Sequence, residues 1–139
     1  MSNRRALARR AGQAALAALT VLVPVAACAR PFRFPPPNEP PAGFTQQGMA
    51  SWYGPGYHGQ RTSSGERYDQ DALTAAHVSF AFGTLVKVTL LSTGRSVTVR
   101  INDRFPAHKG RVIDLSRAAA RRIGLIGAGT GLVRLEIVR

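Results

Sequence analysis

The sequence has one cysteine, Cys28, among 139 residues. No intramolecular disulfide can form, so the chain is not a cross-linked scaffold. Acid is scarce as well: seven Asp and Glu stand against nineteen Lys and Arg, a formal charge of +12 at pH 7. No apolar run reaches the roughly 20 residues a spanning helix needs. Gly-x-Ser-x-Gly, phosphate-loop and dinucleotide fingerprints are missing, which removes the usual signatures of serine hydrolases and nucleotide enzymes. His58, His77 and His108 are widely and irregularly spaced, a poor pattern for zinc. No metal and no cofactor is expected.

What is present falls into three zones: residues 1–27, 28–44 and 45–139. The first reads as a signal peptide. Arg4, Arg5, Arg9 and Arg10 make a basic start without acids, and Ala14 to Ala27 is apolar apart from Thr20. A basic start, a short apolar stretch and small residues before a cut site describe a secretory leader. A short membrane anchor or a buried helix is the alternative. Val25-Ala26-Ala27-Cys28 resembles the lipobox of bacterial lipoproteins, which implies cleavage before Cys28 and acylation of its thiol and amine. Several acyl chains make a stable anchor where one is marginal. The alternative is a secreted protein with a free thiol near its start. Ala29 rather than Asp follows the cysteine, which by the sorting rule of enteric bacteria implies the outer membrane, facing the periplasm. Asn3-Arg4-Arg5-Ala6-Leu7 faintly resembles a twin-arginine signal.

From Cys28 onward 15 basic residues face 7 acidic ones, leaving +8. Such a charge attracts polyanions in general. The basic residues are scattered and no nucleic-acid motif surrounds them, so nucleic acid is not the expected partner. Between Ala29 and Gly43 lie six prolines: Pro31, Pro35, Pro36, Pro37, Pro40 and Pro41. Proline favours extended, semi-rigid chain, so this zone reads as a tether. Phe32 and Phe34 are not explained by a spacer.

The third zone reads as one small β domain. Strands are expected at 46–53, 73–76, 86–90, 97–101, 112–115 and 132–138 from apolar alternation and bounding turn residues. Ser92-Thr93-Gly94-Arg95 is a hairpin turn, with Gly94 supplying the positive φ. A helix is expected at 116–123, capped by Ser116 and stopped by Gly124. Residues 85–91 (LVKVTLL) and 132–138 (LVRLEIV) share apolar parity at an offset of 47 positions. This is either an internal symmetry, two related halves interleaved in a closed barrel, or the ordinary likeness of amphipathic strands.

Six acids lie in this zone. Glu136 has solvent-facing parity and reads as structural. Asp103 ends a hydrophobic strand, either as a carboxyl presented at a rigid rim or as an Asx turn, and Arg104 beside it pairs with Asp103 or with substrate. Asp114 stands between apolar residues, either as a functional acid or as a structural partner of the coming helix. Glu66 and His77 sit in or next to polar loops.

Taken together these segments closely resemble the rare lipoprotein A family of septal-ring lytic transglycosylase-like proteins. The matching stretches are Gly48-Met49-Ala50-Ser51-Trp52-Tyr53-Gly54, Thr62-Ser63-Ser64-Gly65-Glu66, Ala72-Leu73-Thr74-Ala75-Ala76-His77, Phe82-Gly83-Thr84, Val99-Arg100-Ile101-Asn102-Asp103-Arg104 and Ile113-Asp114-Leu115-Ser116. The resemblance implies an all-β, six-stranded double-psi barrel shared with expansins. It also implies lytic cleavage of peptidoglycan between N-acetylmuramic acid and N-acetylglucosamine, leaving a 1,6-anhydro end. On the family pattern Asp103 is the leading catalytic acid/base, Glu66 its acidic partner, His77 a neighbour in the same groove and Asp114 the reserve acid. The acid should have a raised pKa. Trp52 and Tyr53 are candidates to stack on sugar rings, with barrel core the other role for Trp52. Two alternatives stay open: an expansin-like wall-binding module without catalysis, and a glycoside hydrolase. Two departures from the family stand out. Phe105-Pro106 follows the Asn-Asp-Arg where many members have Gly-Pro, and the C-terminal glycan-binding repeat domain of many members is not expected here.

Overall fold

The computed structural model describes residues 39–106, 108 and 110–139. The expected leader, the expected acylation at Cys28, and the expected tether as far as residue 38, with Phe32 and Phe34, lie outside the described residues.

Six strands and one helix follow in order: β1 Thr45–Trp52, β2 Thr74–His77, β3 Leu85–Leu90, β4 Ser96–Asp103, β5 Arg111–Leu115, α1 Arg117–Ile123 and β6 Gly131–Ile137. The strands close into a barrel in the order β1-β5-β2-β4-β3-β6. Closure removes the free edges a small sheet would otherwise expose. β1 with β5 and β2 with β4 are parallel, and the other four pairings are antiparallel. This is the six-stranded double-psi arrangement.

The halves β1–β3 and β4–β6 are related by a pseudo-twofold. Exchanging β1 with β4, β2 with β5 and β3 with β6 leaves the strand order unchanged. The two similar segments of the sequence are β3 and β6, which lie side by side. Val88 pairs with Leu135 across them, and these two residues are equivalent at the 47-residue offset. The axis therefore passes through that pair.

Alternation sends Val86, Val88 and Leu90 of β3, Val97, Val99 and Ile101 of β4, and Val133, Leu135 and Ile137 of β6 into one core. Each fully buried aliphatic side chain contributes about 1.5–3 kcal/mol relative to exposure. Helix α1 adds Ala119, Ala120 and Ile123 to the same cluster. It starts where Ser116 Oγ accepts the Ala119 N–H and ends at Gly124, whose φ of 78° lets its N–H reach the Ala120 and Arg121 carbonyls. Residues just before β1 are already tied to the barrel. Glu39 accepts from Thr84 Oγ1 at 2.9 Å, and Gly43 N–H donates to Ile137 O at 2.7 Å.

Two register shifts interrupt the ladders at the parallel pairings. One falls between Ala75 and Ala76, where Asn102 is the extra residue of β4, and one between Met49 and Ala50, where Val112 is the extra residue of β5. A bulge breaks the two-residue alternation and re-aims the next side chain.

Gly48 lies against the second bulge. A Cβ there would stand 2.3 Å from Val112 Cγ1 and 3.0 Å from Gly110 O. Overpacking of this kind costs about 1–3 kcal/mol, so Gly48→Ala should lower the urea midpoint. Val112→Ala in the same chain should recover part of the loss, as read by equilibrium unfolding.

Candidate active site

The cleft begins where β1 and β4, the pseudo-symmetric strands, reach their C-terminal ends. Unbroken alternation would send Asp103 into the core after Val97, Val99 and Ile101. The bulge at Asn102 shifts the phase, so Asn102 is buried and Asp103 emerges half-buried at the rim. From the other side comes β5. Its Ile113 and Leu115 fill the core, so Asp114 faces outward. Ser51 of β1 is its register partner, and Ser51 Oγ donates to Asp114 Oδ1 at 2.9 Å. Both carboxylates line one cavity of about 450 Å³, together with Tyr53, Tyr57, Arg104 and Arg111.

Their surroundings are opposite. Asp103 accepts three hydrogen bonds: Tyr53 Oη to Oδ2 at 2.6 Å, and the N–H groups of Ser63 and Arg104 to Oδ1, each at 2.8 Å. Burial alone would raise its pKa. The donors from Tyr53, Ser63 and Arg104 outweigh burial and hold it below the ordinary carboxylate value. Asp114 has one hydrogen-bond donor among the described residues, Ser51. Burial raises its pKa above the ordinary value, the charge of Asp103 adds to this, and Ser51 and Arg111 only partly offset it. The Tyr53 phenol is pushed up by burial and by its bond to Asp103, so it remains a donor.

A small hairpin supplies the Ser63 N–H. Gly59 and Tyr68 pair, as do Gln60 with Tyr68 and Thr62 with Glu66, around the turn at residues 62–65. By composition alone this stretch reads as a polar loop. Glu66 makes a bidentate pair with Arg100 at 2.6 and 2.9 Å and accepts from Asn102 Nδ2 at 3.2 Å. The hydrogen bonds from Arg100 and Asn102 lower its pKa. The expected acidic partner of Asp103 is therefore a latch. It clamps the hairpin to the end of β4 and does not line the cleft.

His77 also departs from expectation. It does not share the Asp103 cavity but lines a separate hollow of about 360 Å³ with Phe44, Gln46 and Phe80. Its ring is stacked on Phe80 at 3.5 Å, its Nδ1 accepts from the N–H of Ser79 and of Phe80, and its Nε2 meets Gln46 Oε1 at 3.1 Å. Burial, and then the charge of Arg104, lower its pKa to about 4. It is a neutral imidazole of fixed tautomer that orders the turn after β2. Only its carbonyl touches the site, through Arg104 Nη1 at 3.3 Å.

Trp52 is half-buried, packed against the core, and also lines the cleft. Tyr53 stacks obliquely on Tyr68, centroids 4.5 Å apart, and on the exposed Tyr57 at 5.7 Å. Ser51, Tyr57, Tyr68 and Arg111 do not stand out in the sequence as site residues. Tyr57, after Gly56 in a glycine-rich stretch, is the one visible signal, since an exposed aromatic in a loop suits a sugar face. No group of three or more His, Cys, Asp or Glu gathers to hold a metal among the described residues.

Comparisons with known proteins agree with the fold. The family profile described as lytic transglycolase matches residues 45–135. A probable endolytic peptidoglycan transglycosylase RlpA from Synechocystis is 63% identical over 92 residues, 66% of this chain and 29% of that protein. An endolytic peptidoglycan transglycosylase RlpA from Campylobacter jejuni is 53% identical over 102 residues, 73% of this chain and 37% of its own length. The chain thus matches about a third of these relatives' length. Among solved structures, the Streptomyces papain inhibitor superposes with a TM-score of 0.59 at 21% identity, over 71% of this chain and 98% of the inhibitor. An expansin from Clavibacter michiganensis gives 0.56 at 26% identity, over 69% and 51% of the two chains.

The burial of Asp114 has a consequence for stability. A carboxyl whose folded pKa is raised binds its proton more tightly in the native state. Its favourable contribution is complete below the unfolded pKa and is lost as pH rises through the folded one. Asp114→Asn keeps an acceptor for Ser51 and removes the buried charge. The variant should therefore be more stable than wild type at pH 8, with the difference closing toward pH 4, as measured by urea unfolding across that range.

Proposed function

Because the chain belongs to the lytic transglycolase family of double-psi barrels, we propose that it is an endolytic peptidoglycan lytic transglycosylase whose acid/base is Asp114 and whose stabilising anion is Asp103. The observation that carries this reading is the shared cleft in which the two carboxyls are driven apart in pKa. Divergent environments on neighbouring carboxyls separate proton donor from anion. The assignment departs from the family pattern, on which Asp103 is the leading acid/base, Glu66 its acidic partner and Asp114 the reserve acid. An acid that already accepts three donors is a poor proton source, and Asp114 is the one whose pKa burial raises.

The reaction follows from these positions. Protonated Asp114 gives its proton to the oxygen of the breaking bond, and the N-acetylglucosamine hydroxyl leaves. The oxocarbenium-like charge at the muramyl C1 is met by ionised Asp103. The muramyl C6 hydroxyl attacks C1, and the Asp114 carboxylate takes its proton, which restores the acid and closes the 1,6-anhydro ring. One carboxyl acts in both directions. Tyr57 and Tyr53 offer ring faces for the sugars, and Arg104 lies at the rim for their polar groups.

Lipid anchoring through Cys28, export by the leader, a tether at the chain's start and an outer-membrane position belong to the same proposal. Their support is the Val25-Ala26-Ala27-Cys28 pattern with Ala29 after it and the six prolines downstream.

Digestion of purified glycan strands, read by mass spectrometry, tests the catalytic reading. Wild type should release anhydromuramyl fragments, with a bell-shaped pH profile. Its acid limb should follow Asp103 and its alkaline limb Asp114. Asp114→Asn and Asp103→Asn should each lose about 100-fold or more, the scale of a lost acid–base group. Reducing ends would instead mark a hydrolase, and uncut strands that still bind would mark an expansin-like module. For the anchor, Cys28→Ala should abolish incorporation of an alkyne-labelled fatty acid and release the protein from the membrane fraction.

A further inference from the structure

Arg111 and Phe105 line the cleft but stand outside the two-carboxylate chemistry. Arg111 opens β5 and lines the cavity with Asp103 and Asp114. In an unbroken strand, residues three apart face opposite sides. The bulge at Val112 shifts the phase between them, so Arg111 and Asp114 reach the same cleft. The Arg111 guanidinium stands 5.6 Å over the Phe105 ring. Its Nε is shut off from solvent and has no hydrogen-bond acceptor among the described residues.

A guanidinium has five N–H donors and no route to neutrality, so an acceptor must be supplied or the group stays unsatisfied. The local acids do not supply one. Both oxygens of Asp103 are taken by Tyr53, Ser63 and Arg104. Asp114 is bonded to Ser51. The ion pair found among the described residues joins Glu66 to Arg100 on the far side of the hairpin. Arg111 is therefore a cation in a sugar-sized cleft, near enough to Asp114 for its charge to be felt there but bonded to neither cleft carboxylate. A planar guanidinium resting on an aromatic ring presents a fixed fork to a carboxylate.

Peptidoglycan carries such groups. Its N-acetylglucosamine units are neutral, whereas each muramyl unit bears a lactyl arm ending in a carboxyl or in a stem peptide. We propose that Arg111, seated on Phe105, is a specificity-determining residue that binds a carboxylate of a muramyl unit beside Asp114. The inference rests on the lytic-transglycosylase reading of the cleft. Two sources share the chemistry: the free lactyl carboxylate, and a carboxylate of the stem peptide.

The test uses the full-length protein as wild type, Arg111→Gln, Arg111→Lys and Phe105→Gly. Each is assayed on glycan strands stripped of stem peptides, on the same strands with carboxyls converted to methylamides, and on peptide-bearing strands. Binding of all three, and of neutral chitohexaose, is followed separately by Trp52 fluorescence. Arg111→Gln should raise KM on carboxylate-bearing strands by about 10- to 100-fold, the scale of a charge-assisted hydrogen bond, with the loss falling on KM more than on kcat. Methylamidation should cost wild type the same factor and cost Arg111→Gln nothing further. Arg111→Lys should retain part of the affinity, Phe105→Gly should fall between, and chitohexaose binding should be alike in all four. Sensitivity confined to stripped strands assigns the lactyl carboxylate, and sensitivity confined to peptide-bearing strands assigns the stem. Equal KM and equal affinity for wild type and Arg111→Gln on every strand would overturn the seat. If no strand is cut, the catalytic reading fails and the fluorescence titrations still decide the carboxylate seat.

Discussion

The cleft depends on the three donors that converge on Asp103. Two are backbone N–H groups and one is a phenol, and each arrives from a different part of the chain: the hairpin tip at Ser63, the residue after β4 and the residue after β1. Hydrogen bonds to an ionised acceptor are shorter and roughly twice as strong as neutral ones. Here they outweigh the burial that would otherwise favour the neutral acid. The fixed negative charge then acts on Asp114, already raised by its own burial. A pair of acids that would be equivalent in water is driven apart in pKa through placement alone.

That placement comes from irregularities in the barrel. A perfectly alternating β4 would bury Asp103, and a perfectly alternating β5 would put Arg111 and Asp114 on opposite faces. One extra residue in each strand, Asn102 and Val112, corrects both. Glu66 secures the arrangement from outside. By clamping the 59–68 hairpin to Arg100 and Asn102, it keeps the Ser63 N–H on the Asp103 carboxylate.

Much of the scaffold is legible in the sequence, because strands with one buried face announce themselves by alternation. The β3–β4 hairpin, the Ser116 cap and the Gly124 stop follow from local chemistry, and the 47-residue echo between β3 and β6 marks the pseudo-twofold. The acids and Tyr53 are also visible from the family motifs. Partnership is not. Ser51 and Asp114 are 63 positions apart and meet only through strand register, which no local pattern encodes. Bulges leave the same trace as an ordinary strand residue, so alternation ends β4 at Ile101, two residues short of Asp103. Motif company groups His77 and Glu66 with Asp103, although the fold uses one to order a turn and the other to pin a hairpin.

The pseudo-twofold also bears on how the barrel forms. Every one of the six strand pairings joins a strand of the first half to one of the second. Within either half, no two of these strands are paired. During synthesis β1, β2 and β3 have no barrel partner until β4 exists, and the β1–β6 pairing waits for the far end of the domain. Contacts so distant in sequence carry a large loop-closure cost and slow folding. Closure of the barrel therefore has to wait until β6 is made.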